Sequence, residues 1–399
     1  MTAVARPVPL SRNRRFVVFC CAETVSATGD AISLVALPLL VLDTTGSVAK
    51  MGLLTAAATA GYIAASAFSG PIVDRFDRGP LMIATAVLQA VVYLVVPVVW
   101  LIAPQVWVLF VVMPAGAVLG ITFQIGYVTV LPVLVAGDQL TSANGMLQSW
   151  LAAGGISGSA AAGLLCSFLS PAAAIGVDAV TFLASALGVL VIRLPRSQGL
   201  RESLHWSDYL AGLRFLWNTP VLRAMIILLS VQTFVTLGVT DLMIFHLRHD
   251  LRQPSPVVGY VLTAASLGSL VAGLCVGWLR RRAGFAFSWI GSSVLAGVTL
   301  CALGETRSAV LVGALAAAFV GSTTIGGTCS MSLRQQITPA DLLGRVTAAF
   351  WATHYALAPI GAAILTAAAG HYSTAAVCLV GGVVVAVSAL AGFPSLRGT

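Results

Sequence analysis

Twelve apolar runs, each about as long as a bilayer is thick, dominate the sequence and decide what it can fold into. A helix needs about 20 apolar residues to cross a hydrocarbon core of ~30 Å. The runs predict spans at 16–42, 51–73, 80–103, 105–131, 142–169, 171–193, 222–247, 256–279, 285–304, 308–333, 343–370 and 373–394. A β-barrel is excluded, because its strands would alternate apolar and polar residues over about ten positions. Charged residues make up only 9% of the chain, against roughly 25% in soluble domains. The expectation is an all-α membrane protein with no room for a large soluble domain.

The net charge of +8 does not point to nucleic acid, because the basic residues are scattered between the apolar runs. Topology accounts for them better. With both termini cytoplasmic, 17 of the 21 Lys and Arg fall in the termini and cytoplasmic loops, leaving Lys50, Arg248, Arg252 and Arg307 outside. The expected location is therefore the inner (plasma) membrane. Lys50 is the sole lysine, so no Walker A phosphate loop exists to drive the chain with ATP. All seven cysteines lie in apolar runs, where a thiol behaves as a small hydrophobe. No disulfide, metal or cofactor is expected. The basic N-terminus precedes an apolar stretch that contains Glu23 and Asp30, which reads as a first span and not as a cleaved signal.

The longest connection, 194–221, divides the chain into an N-terminal six-helix half (1–193) and a C-terminal one (222–399). A repeat supports the division: Gly52, Gly61 and Gly70 match Gly259, Gly268 and Gly277 at a fixed offset of 207 residues, and Ala57 and Ala58 match Ala264 and Ala265. Two pseudo-symmetric halves of this kind bind substrate near the membrane midplane and rock against each other. Within the linker, Tyr209, Leu210, Leu213, Leu216 and Trp217 have helical spacing opposite Arg214. That pattern predicts an amphipathic helix on the membrane surface.

Residues 70–78, Gly-Pro-Ile-Val-Asp-Arg-Phe-Asp-Arg, lie between spans two and three and resemble the signature loop of the major facilitator superfamily. Further stretches are similar to the enterobactin and macrolide exporter branch: Asn13-Arg14-Arg15-Phe16, Gly29-Asp30, Ala36-Leu37-Pro38-Leu39, Thr45-Gly46-Ser47, Ala143-Asn144-Gly145, Asp178-Ala179-Val180-Thr181-Phe182 and Gly344-Arg345-Val346. The resemblance implies a secondary transporter exporting amphiphilic small molecules against proton entry. Gly154, Gly158 and Gly163 in span five resemble the family's antiporter motif, with Ser159 in place of its proline and Ala162 in place of a glycine. Small residues at this spacing also serve plain packing, here expected against span eight.

In the signature loop, Gly70 permits close helix approach, and Asp74 can sit at the amide-rich N-terminus of span eleven, where Arg345 begins. Asp74, Arg75, Arg78 and Arg345 are expected to latch the halves on the cytoplasmic side, with Asp138 as a further partner. The alternative is that these charges only set topology.

Acidic residues inside spans carry the sharper signal, since burying an unpaired charge costs on the order of several kcal/mol. Asp30 sits near the middle of span one, and Glu23 is seven residues earlier, on nearly the same face. The pair offers a proton path, with Asp30 the first candidate for coupling and a local structural role the alternative. Asp178 reads as a structural hydrogen-bonding residue. Asp241, near His246, Arg248 and His249, reads either as an outer gate ion pair or as a solvated rim. His354 is the one histidine within a span interior, with Trp351 and Tyr355 beside it, and is a third proton candidate or an interhelical hydrogen-bonding residue. Gln124, Tyr127, Gln148, Trp150 and Gln232 supply polar edges to an apolar wall, which suits an amphiphilic ligand. Span four lacks the arginine expected of many drug and proton antiporters.

These readings converge on a monomeric transporter whose partners are a small-molecule substrate, protons and the lipid bilayer. Its expected substrate is an antibiotic, natural product or siderophore. The alternatives are an importer or uniporter of a small metabolite, or a lipid scramblase. Nothing converges as a nucleophile and base would in an enzyme.

Overall fold

The computed structural model describes residues 9–75, 77–135, 140–194, 206–339 and 342–396, apart from the side chains at 66–75, 125, 128–129, 132, 140–142, 144–145, 206–211, 335, 343–345, 348 and 395–396. All regular structure among the described residues is helical. In lipid no water is available to satisfy backbone amides and carbonyls, so apolar runs must close their hydrogen bonds internally. Hydroxyls within the runs follow the same rule. Thr24 and Thr28 donate to the carbonyls of Cys20 and Thr24, at 2.7 and 2.8 Å, which lets a polar side chain ride inside an apolar helix.

The helices are α1 (Arg14–Thr45), α2 (Val48–Arg75), α3 (Arg78–Ile102), α4 (Leu109–Leu134), α5 (Leu140–Phe168), α6 (Pro171–Ile192), α7 (Trp206–Asn218), α8 (Pro220–Thr236), α9 (Val239–Phe245), α10 (Ser255–Glu305), α11 (Ala309–Ile337), α12 (Leu343–Tyr355), α13 (Ala358–His371) and α14 (Thr374–Ala391). Eleven apolar helical stretches are long enough to cross a membrane. One of them, α10, has 51 residues and breaks at Gly284, where φ is 76°. It supplies two spans, so the twelve expected crossings are all present. Gly284 takes a left-handed conformation that residues with a Cβ disfavour.

Two expected spans are interrupted near their middles. Span seven consists of α8, a break at Leu237–Gly238, α9 and a π-turn over His246–Asp250. Span eleven is α12 and α13, broken at Ala356–Leu357. Pro359 explains the second break, because it has no amide hydrogen to give the preceding turn. Glycine's poor helix propensity favours the first.

Contacts divide the chain into two units, Met1–Leu37 with Ala64–Ser203, and Pro38–Ile63 with Leu204–Thr399. The linear halves and the contact units thus differ at α1 and α2, whose adjoining ends belong to the second unit. The change along α1 falls at Pro38, inside the helix, where a proline removes one backbone bond. In the first unit α3 packs on α4 and α6; in the second, α10 packs on α11 and α14. The linker helix α7 forms where expected, but it packs against α12. Leu216 is fully buried in a core with Met225, Val346 and Phe350, and Leu213 packs against it, so this part of the apolar face meets protein. Trp217 and Arg214 remain exposed.

Candidate transport site

The site in the first unit begins with two missing side chains. A Cβ at Gly29 would collide with Thr181 and Asp178, and one at Gly188 would collide with Ala22. Glycine at these positions lets α1 lie directly on α6. That approach pairs the hydroxyl groups of α1 and α6 with their carboxylates. Ser185 donates to Glu23 Oε1 at 2.8 Å, and Ser33 donates to Asp178 Oδ2. Thr181 donates to the other Asp178 oxygen at 3.0 Å. Asp178 is fully buried with a hydrogen bond on each oxygen, a positioning role that matches the structural reading.

Glu23 is buried, and no ion pair to an arginine holds it among the described residues. Asp30 differs. It is exposed, yet it faces the interior of the unit, and no hydrogen bond among the described residues holds its carboxylate. Both acids line one cavity of about 440 Å³ with Ser26, Gln89, Gln124, Tyr127, Gln148 and Ser185, and with the rings of Phe123 and Phe182. Among the described residues lining it there is no Lys, Arg or His. Seven residues on a helix rise about 10.5 Å, so the two acids stand at different depths of one wall.

The structure thus brings together Glu23, Asp30, Gln124, Tyr127 and Gln148. Trp150 is placed elsewhere: it packs against the buried cluster that includes Phe16, Phe19 and Leu147. Its position beside Gln148 in sequence does not carry over to the cavity, because the next-but-one residue on a helix points about 200° away. Gln89, Ser26 and Ser185 complete the wall. Gly154 and Gly158 provide close packing within the unit, where a Cβ would meet Thr24 O at 2.7 Å and the Thr28 carbonyl, respectively. The helix these two glycines approach is α1, where span eight was expected, because small-residue spacing marks a close contact without naming the partner. Gly163 is buried on the same helix. The side chains of Asp74, Arg75 and Arg345, the surroundings of Gly70, and Asp138 lie outside the described residues. Arg78 begins α3 and is half-buried.

The second unit carries its own polar island, at the facing breaks of α8 and α12. A Cβ at Gly361 would strike the Phe234 carbonyl, so the two interrupted helices touch. Beside this contact Thr233 Oγ1 and His354 Nε2 are 2.5 Å apart. His354 is buried, and its Nδ1 has no hydrogen-bond partner among the described residues. Trp351 and Tyr355 stack at 5.5 Å, and both rings contact the imidazole. Gln232 accepts weakly from Ser293 at 3.5 Å, and its Nε2 is buried without a partner. Arg334 is 1% exposed, with its guanidinium 3.6 Å from the Phe350 ring centre. Nothing in the sequence singled it out. Asp241 is neither an ion pair nor solvated: it is buried and accepts from Thr55 at 2.7 Å. A separate groove of about 820 Å³ along α8, α13 and α14 is lined almost wholly by apolar side chains. With few converging polar groups, it lacks what fixes a ligand's orientation, and the acidic cavity is the better candidate.

Comparison with known proteins agrees with the fold. The model of the Major Facilitator Superfamily matches residues 19–363. The chain is 28% identical over 368 residues to the multidrug efflux pump Tap of Mycolicibacterium fortuitum, covering 88% of this chain and 89% of that one. It is 27% identical to a lysophospholipid transporter, LplT, of Yersinia pestis over 217 residues, 53% of this chain and 51% of that one. Among solved structures it resembles the nucleoside transporter NupG, with a TM-score of 0.77, 12% identity and coverage of 96% and 99%. It also resembles a bacterial homologue of the lysosomal transporter Spinster, with a TM-score of 0.71, 12% identity and coverage of 97% and 95%. The fold is that of a multi-pass membrane transporter, not an enzyme. The chain belongs to the major facilitator superfamily.

Proposed function

We propose that the protein exports an amphiphilic small molecule from the cell in exchange for protons, by alternating access between its six-helix halves, 1–193 and 222–399. The observation that carries this reading is the acidic cavity, where Glu23 and Asp30 face glutamines and aromatic rings with no cation among the described residues of the wall. An acid with no fixed partner inside a membrane protein is poised to exchange a proton for a cationic or polar group. Asp30 is the coupling residue, and Glu23, held by Ser185, is the station nearer the cytoplasm. His354, bonded to Thr233, is a secondary proton site in the other unit. Glutamine amides and the rings of Phe123, Tyr127 and Phe182 suit a ligand that is largely apolar with a few polar edges.

Outward direction is supported by the similarity to a multidrug efflux pump, and an amphiphilic substrate by that to a lysophospholipid transporter. Both termini lie in the cytoplasm of a cell whose inner membrane holds the chain. Asp74, Arg75, Arg78 and Arg345 act there as the latch of the outward-open state. The test is a screen of lipophilic antibiotics and siderophores in proteoliposomes carrying an imposed proton gradient. Movement of a compound opposite to the protons is expected. Movement with the protons, or movement indifferent to them, overturns the reading in favour of an importer or uniporter.

A further inference from the structure

A cavity of about 960 Å³ sits at the end of the second unit that the charge bias places outside, and the proposed mechanism makes no use of it. Its architecture centres on His246, which is 4% exposed. His246 Nδ1 lies 2.8 Å from Asp250 Oδ2, and Nε2 lies 2.9 Å from the Thr306 carbonyl. A backbone carbonyl can only accept, so Nε2 must carry hydrogen. Asp250 also receives His249 Nδ1 at 3.0 Å on its other oxygen and the hydroxyl of Thr374. An ionised carboxylate can only accept, so Nδ1 carries hydrogen as well. An imidazole donating from both nitrogens is the imidazolium.

The bonds tie three outer connections together. His246, His249 and Asp250 belong to the π-turn after α9, Thr306 to the turn between α10 and α11, and Thr374 to the start of α14. The same π-turn holds the end of α1, because Arg248 donates to Asp43 at 2.8 Å. Glu305 and Arg307 face the cavity from the α10–α11 turn, and His371 and Tyr372 from the end of α13. The α1–α2 turn contributes Gly46, Ser47 and Val48, none of them titratable.

We infer that His246 is a proton-operated clasp: its protonation ties the outer turns of the second unit, and the end of α1 with them, into a closed arrangement. Loss of the Nε2 proton leaves the buried Thr306 carbonyl without its side-chain donor, and loss of the Nδ1 proton turns a bare nitrogen toward the Asp250 carboxylate. Closure therefore holds while both ring nitrogens carry hydrogen and is lost when either gives it up. The purpose of the clasp rests on the proton-exchange reading. A proton arriving from outside would shut the outer end behind it, which commits the cycle to the inward return.

The test is made on full-length protein in nanodiscs, without substrate or gradient, so it does not depend on whether transport is proton-coupled. Nitrogen-15 histidine NMR is expected to show one of the five histidines doubly protonated at neutral pH, and this signal should vanish in His246→Gln. Hydrogen exchange in 245–252, 304–308 and 370–376, corrected for intrinsic rate, should speed up roughly tenfold or more between about pH 5 and 8.5, the loss of a charged hydrogen bond. His246→Gln should exchange fast at both pH values, while Asp30→Asn should keep the wild-type response. A wild-type His246 with one bare nitrogen near pH 6, or exchange that ignores pH, overturns the clasp and leaves coupling through Asp30 untouched. If His246→Gln does not fold, the two wild-type measurements decide alone.

Discussion

Gly155 and Gly158 are three residues apart on α5, yet alanine at the two positions should have opposite effects. A Cβ at Gly155 meets nothing within 4 Å. At Gly158 it would press on the Thr28 carbonyl oxygen and lie 2.8 Å from Ala31 Cβ and 3.0 Å from the Thr28 carbonyl carbon. Carbon atoms prefer separations of about 3.5–4.0 Å, so α1 would have to retreat by roughly 1 Å. The obstacle is largely backbone and cannot rotate away. Alanine gains about 0.8–1.0 kcal/mol over glycine in a helix interior, whereas overpacking costs about 1–3 kcal/mol. Gly155→Ala is therefore expected to be neutral or stabilising, and Gly158→Ala to fall about 1–3 kcal/mol below it. Denaturant-titrated or thermal unfolding in one detergent measures the difference. Asp30 lies two residues beyond Thr28, so the Gly158 variant should also lose transport rate while Gly155→Ala does not. Equal stability of the two variants would refute the packing of α5 on α1.

Three further outcomes are expected. Ser185→Ala leaves buried Glu23 without its hydrogen bond and should destabilise the protein by about 1.5–3 kcal/mol; unfolding of this variant beside Ser185→Thr checks it, and full rescue by threonine is expected. Thr233→Val removes the one hydrogen-bond partner His354 has among the described residues, at a cost of about 1–3 kcal/mol by the same assay. Asp74→Asn should slow the transport cycle several-fold while leaving substrate affinity close to wild type, which binding and turnover measured in parallel will separate.

Much of the fold was legible because lipid admits so few solutions: a run of twenty apolar residues must be a helix, and twelve runs gave twelve crossings. The acidic face of α1 was legible for the same reason, since Glu23 and Asp30 stand out against an apolar background and their spacing alone puts them on one side. What helical spacing does not carry is which helix lies opposite. Ser185 is one hydroxyl among many in the sequence, and only the approach of α6 to α1 at Gly29 and Gly188 makes it the partner of Glu23. Gln89 and Thr233 were missed on the same account. Arg334 did not stand out because a basic residue near a predicted helix end is one of many, whereas in the structure Phe350 covers its guanidinium. Trp150 was placed in the cavity by proximity in sequence to Gln148, and the turn of the helix carries it into the core instead. The breaks in spans seven and eleven had visible causes in Gly238 and Pro359, but a hydropathy profile averages across them.

Substrate-driven proton movement in proteoliposomes, wild type beside Asp30→Asn, tests the central claim most directly. The account predicts that a transported compound drives proton flux through the wild type and that the flux disappears in Asp30→Asn. Transport by Asp30→Asn with its proton dependence intact would contradict it and leave Asp30 a structural residue of α1.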